Sequence, residues 1–173
     1  MKYLIGIGLL TLALPGFTAE NNVQVTGALV AEPCTLDLAT TDITLDFGNL
    51  VGKYFYRTPR TPGQPFIITL DDCDTSLGNS ATVTFRGTES LTLPGFLVPD
   101  AGDIQGIAFG IETDEANPRP VALNTASPVF TLTNGNNSLA LRGYVQAEPQ
   151  AIAAQSITAG AFTATATFEI EYP

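Results

Sequence analysis

The chain has 173 residues and a formal net charge of −10, with 17 acidic against 7 basic side chains and no histidine. That balance excludes a phosphate-tracking surface, which needs clustered Lys and Arg, so neither nucleic acid nor an anionic membrane is expected as a partner. Without histidine the common nucleophile–base pairs are missing, and no Gly-x-Ser-x-Gly, phosphate loop or dinucleotide fingerprint is present. No enzymatic activity, cofactor or metal is expected.

Residues 1–19 read as a cleaved signal peptide. Lys2 supplies the positive start, Leu4 to Leu14 the apolar run, and Pro15-Gly16 the break before a cut after Ala19. Phe17 is not small, so the cut could move by a residue or two. The apolar run is too short to span about 30 Å of hydrocarbon. The remaining chain of about 150 residues suits one domain, and its wealth of Thr, Val, Ala, Gly and Pro favours strands and turns.

Two cysteines in an exported chain most simply pair. Cys34 and Cys73 would close a loop of about 40 residues, worth about 4 kcal/mol in the chain-entropy model. Free thiols and a zinc site built on two thiolates alone are the poorer alternatives.

Short alternating runs separated by turn residues then follow one another, the pattern of a β-sandwich. Val23 to Ala31 comes first, with Val23, Val25, Gly27, Leu29 and Ala31 on one side. Strands are expected at Ile43 to Phe47, at Phe66 to Leu70 before Cys73, at Thr82 to Phe85, and at Ile107 to Ile111. Phe130 to Leu132 leads into Asn134-Gly135, a hairpin signal, and then Ser138 to Gln146. The chain ends on an unbroken period of two: Phe162, Ala164, Ala166, Phe168, Ile170 and Tyr172 face one way, three threonines and two glutamates the other. Prolines mark 51–64 and 91–105 as irregular connections, and the group from Lys53 to Arg60 reads as exposed. Helix is expected to be minor, with a turn near Pro149 to Ala154. The acidic clusters at Asp71, Asp72, Asp74 and at Glu112, Asp114, Glu115 fall where the chain should turn, and read as solvated rather than as calcium ligands or a glycosidase pair.

Four features in this order resemble the subunits of chaperone–usher pili, most closely the minor tip and adaptor subunits of type 1 and P pili. They are the run from Glu20 to Pro33 into Cys34, the apolar strand ending at Cys73, Gly160 fourteenth from the C-terminus, and the penultimate Tyr172 after an alternating strand. The resemblance implies an all-β, incomplete immunoglobulin-like sandwich that lacks its last strand. It divides the chain into a signal peptide (1–19), an N-terminal donor-strand extension (20–33) and a pilin domain (34–173).

It further implies a structural fimbrial subunit, a minor tip or adaptor component in cell adhesion, that polymerises by donor-strand exchange, a form of strand addition. The donor side chains would be Val23, Val25, Leu29 and Ala31, with Gly27 where no side chain is wanted. The chaperone and assembly strand would comprise Gly160, Phe162, Ala164, Ala166, Phe168, Ile170 and Tyr172, with the Pro173 carboxylate as anchor. The implied partners are neighbouring pilus subunits, a periplasmic chaperone and an outer-membrane usher, with host-cell contact only indirectly through a tip adhesin. The route is secretion through the periplasm to the cell-surface fimbrium. Periodicity alone would equally fit an ordinary first and last strand of a complete sandwich. Competing functions are a single-domain glycan-binding adhesin using Tyr54, Tyr56 and Tyr144, a pilus-terminating subunit, and an exported carboxylate enzyme.

Overall fold

A computed structural model describes residues 25–26, 32–100 and 104–173. The chain divides into two compact units, Met1–Val30 and Ala31–Pro173. In the first unit only Val25 and Thr26 are described, both exposed. The signal-peptide reading and donor positions Val23, Gly27, Leu29 and Ala31 therefore lie outside the described residues.

The second unit is all-β, with a 3-10 turn at Leu38–Thr40 and, among the described residues, two short α-helices, α1 (Gly52–Phe55) and α2 (Pro149–Ala154). Its strands are β1 (Thr35–Leu36), β2 (Gln64–Cys73), β3 (Ser80–Arg86), β4 (Ile107–Thr113), β5 (Pro120–Val121), β6 (Phe130–Thr131), β7 (Gly135–Ala147) and β8 (Thr167–Glu171). They form a five-stranded sheet in the order β1-β2-β7-β4-β5 and a three-stranded sheet in the order β6-β3-β8. All ladders are antiparallel.

The period-two pattern explains how the two sheets close on each other. Ile68 and Leu70 of β2 and Leu139 and Leu141 of β7 point inward and are at most 1% exposed. They meet Ala81, Val83 and Phe85 of β3, with Phe168 and Ile170 of β8 packed against the same cluster. Beside β3, on the edge that β6 also pairs, Ala126 bridges Thr84 and Ser127 exchanges hydrogen bonds with Val83.

A bulge between Leu70 and Cys73 places Asp72 at φ 52° and shifts the register so that Cys73 meets Cys34. The two cysteines form a disulfide across 39 positions, as the sequence suggested. This fixes the root of the first strand to the end of β2. Pro33 O accepts from Asp74 N at 2.7 Å beside it.

Several expectations need correction. Asn134-Gly135 does not turn a hairpin, because β6 pairs with β3 while β7 pairs with β2 and β4; the turn carries the chain from one sheet to the other. Ile43 to Phe47 alternates in burial yet joins no ladder among the described residues. The C-terminal run is ladder-paired only over Thr167–Glu171. The 51–64 connection contains α1, whose Phe55 is 3% exposed, so the Lys53–Arg60 group is not simply a solvated loop. The turn expected at 149–154 does form, as α2, started by Pro149 and closed by Gln155 at φ 51°. No helix among the described residues is long and apolar enough to cross a membrane.

Replacing both Cys34 and Cys73 by Ala should lower the stability of the folded domain by about 4 kcal/mol, the loop-closure entropy returned to the unfolded chain. A urea titration of the two proteins checks this; an unchanged midpoint would show that the bridge constrains nothing.

Candidate functional site

The three-stranded sheet ends on β8, whose second edge pairs with nothing among the described residues. Across from it runs the extended segment 43–47. The two edges flank one apolar cavity of about 490 Å³, lined by Ile43, Leu45 and Phe47 on one bank and Phe162, Ala164 and Ala166 on the other. A second cavity of about 550 Å³ continues it past Leu45, Phe47 and Phe162 toward α1.

Aromatic side chains make the floor. Phe66 meets Phe85 edge-on with ring centroids 6.2 Å apart, Phe85 meets Phe168 at 6.1 Å, and Phe109 meets Phe162 at 5.4 Å. Phe162, Ala164, Ala166, Phe168, Ile170 and Tyr172 are all half-buried while their neighbours are exposed. The sequence predicted this facing correctly. What it missed is that half of the run stands open, with side chains turned into a cleft rather than a filled core.

The opposite bank is held differently. Gln64 Nε2 donates to Asp46 O at 2.6 Å, and Asp46 Oδ1 accepts from Gly48 N at 2.8 Å. Leu45 lies over Gly143 of β7, where an added Cβ would come within 2.5 Å of Leu45 Cδ1. Gly143 thus lets this bank approach the sheet, a role with no signature in the sequence pattern.

At the far end of β8, Tyr172 is half-buried, and burial together with the nearby Glu32 charge raises its phenol above the usual range. Pro173 is exposed, and one of its terminal oxygens accepts from Ser80 Oγ at 3.1 Å. Gly160 is exposed and lines the second cavity.

The back of the larger sheet carries a charged knot. Arg60 reaches Glu112 with two hydrogen bonds of 3.0 and 2.8 Å, and its guanidinium lies 3.6 Å from the Tyr144 ring centroid. The bond to Glu112 raises the Arg60 pKa above its usual value. Burial raises that of Tyr144, against the opposing pull of Arg60. Arg142 pairs with Asp114, and Arg119 with Glu115 at 2.9 Å. The second acidic cluster is therefore ion-paired rather than merely solvated. Tyr144 is 6% exposed, so it cannot offer a ring face to a sugar beside Tyr54 and Tyr56. Among the described residues no acidic group is arranged to hold a metal ion.

Comparison with known proteins agrees with this geometry. The family model described as "Fimbrial protein" matches residues 23–173. The chain belongs to that fimbrial family. Its relatives include the Fimbria A protein of Serratia marcescens, 30% identical over 97% of this chain and 93% of that protein. The fimbrial adapter PapK of Escherichia coli is 32% identical over 91% of this chain and 90% of its own. Among solved structures, the P pilus rod subunit PapA superposes with a TM-score of 0.70 at 21% identity, covering 82% of this chain and 100% of that one. A chain of a chaperone–usher pilus covers 94% of this chain with a TM-score of 0.69. The fold is the immunoglobulin-like one of pilus subunits, and the relatives are structural subunits rather than enzymes.

Three substitutions check the geometry. Gly143→Val should lower stability by about 1–3 kcal/mol, because overpacking displaces Leu45, and the loss should appear as a lower urea midpoint. Glu112→Gln should cost about 1–2 kcal/mol, reduced from a buried charge-assisted pair because Arg60 is 38% exposed. Glu115→Gln, whose pair is exposed on both sides, should change the midpoint little.

Proposed function

We propose that this fimbrial subunit polymerises by donor-strand exchange, receiving a strand from another polypeptide in the groove and lending its own N-terminal arm onward. The observation that carries this is the pair of extended segments outside any ladder, Ile43 to Phe47 and Phe162 to Ala166, over an aromatic floor, with Thr163 O of the second accepting from Asp100 N at 2.8 Å. A strand laid between them would satisfy main-chain groups on both sides, each hydrogen bond contributing about 1 kcal/mol net. It would also cover apolar side chains, each fully buried one contributing about 1.5–3 kcal/mol.

In this reading residues 1–19 are a signal peptide, 20–33 the donor extension and 34–173 the pilin domain. The arm would contribute Val23, Val25, Leu29 and Ala31, with Gly27 at the tightest place. Before assembly a periplasmic chaperone would pair along Gly160 to Tyr172 and hold the Pro173 carboxylate, which stands exposed. An outer-membrane usher would then exchange that strand for a neighbouring subunit's arm, placing the chain in a cell-surface fimbrium.

A minor tip or adaptor position in cell adhesion is favoured by the likeness to a fimbrial adapter and by an arm of only fourteen residues before Cys34. Both cavities of the groove are open, which suits a link that accepts a strand better than a terminator.

Hydrogen exchange tests the proposal. In the full chain alone, amides of Ile43 to Phe47 and Phe162 to Ala166 should exchange quickly, and they should become protected when a donor peptide is added during refolding. Full protection in the isolated chain, unaffected by any donor, would overturn the reading. Gly27→Arg should abolish lending of the arm while leaving the groove able to receive.

A further inference from the structure

The rim of the groove is acidic, and this bears on which strand fills it. Along the first bank Asp42, Thr44 and Asp46 point outward between Ile43, Leu45 and Phe47. Along the C-terminal edge three threonines are followed by Glu169 and Glu171 of β8, exposed beyond the residues that line the cavity. Among the described residues, Glu169 alone of these four carboxylates has a cationic partner, Arg86 at 3.0 Å on β3. Arg60, Arg119 and Arg142 are engaged by Glu112, Glu115 and Asp114 on the back of the other sheet. Lys53 sits on α1, which borders the second cavity rather than the first.

A strand entering between these banks sets its inward side chains on the aromatic floor and its outward ones beside the acids. Opposite charges at such cross-strand positions are favourable, and like charges are not. The chain's own arm, from Glu20 to Pro33, carries two glutamates and no Lys or Arg, and its outward positions are Gln24, Thr26, Ala28 and Val30. A second copy therefore offers the apolar pattern but adds negative charge to a negative rim. The net charge of −10 further opposes the approach of copies at low salt.

We propose that the groove selects an arm from a different chain, apolar on its inward face and bearing Lys or Arg on its outward face, over the arm of another copy. This rests on the donor-strand reading above and goes beyond it in naming the chemistry of the neighbour. The apolar floor accepts any alternating strand; the rim discriminates among them.

The full chain, disulfide intact, is refolded from urea with one of two labelled peptides: its own 20–33 sequence, or that sequence with Gln24→Lys, Thr26→Lys and Ala28→Lys. The lysine peptide should be captured about tenfold more tightly at low salt, from three favourable cross-strand pairs. High salt should largely erase the difference. The triple variant Asp42→Asn, Glu169→Gln, Glu171→Gln, altered only at exposed positions, should treat both peptides alike. Equal capture of the two peptides by the unaltered chain, or tighter capture of its own sequence, would overturn the charge selection and leave strand exchange standing. Capture of neither would remove the donor-strand reading and this inference with it.

Discussion

Main-chain N–H and C=O groups cannot be left dry and unpaired without cost, and this fold leaves two rows of them facing one cleft. The outer edge of β8 and the extended 43–47 segment have no ladder partner among the described residues, yet their alternate side chains point onto Phe66, Phe85 and Phe109. The remaining architecture can be understood from that constraint. A sandwich with a gap of this kind exposes both hydrogen-bonding edge and apolar floor, the two ingredients of strand addition and of aggregation alike.

The framework around the gap is correspondingly well tied. The disulfide joins Cys34 to the bulged end of β2, so the start of β1 is covalently anchored. On the back of the larger sheet, Arg60 clamps Glu112 and covers Tyr144, while Phe96 meets the same ring edge-on at 5.9 Å. Gly110 makes this possible, because a Cβ there would collide with the Tyr144 and Phe96 rings. These contacts tie β4 and β7 to the 60 and 96 segments on the face of the sheet away from the floor.

Much of this was legible in the sequence. Period-two alternation located β2, β3, β4 and β7 and told which side of 162–172 faces the core, because that pattern reports burial directly. The same pattern could not separate a laddered strand from an extended edge. Ile43 to Phe47 and Phe162 to Ala166 alternate as cleanly as β7, and pairing is a property of what lies beside a segment rather than of the segment itself. For the same reason Asn134-Gly135 was misread: the dipeptide specifies a turn, while the partner of β6 is decided by the distant β3. Gly143 and Gly110 left no trace, since their importance lies in Leu45, Tyr144 and Phe96, which reach them from elsewhere in the chain. The Arg60–Glu112 pair spans 52 positions and links two segments whose neighbourhood only the fold creates.

Affinity and selectivity in the proposed groove come from different atoms. The floor is aromatic and aliphatic, so it rewards apolar area without distinguishing one alternating strand from another. Backbone pairing along the banks is equally indifferent to sequence. Discrimination must therefore come from groups that each occupant meets differently, and the exposed side chains of the rim are the obvious ones. Each rim charge contributes only a fraction of a kcal/mol in water, but several acting together discriminate at low salt, bias encounter and penalise a like-charged partner. In the proposed exchange, an acidic rim facing an acidic arm would set copies of this chain apart from one another, while leaving the apolar floor free to hold a differently charged neighbour.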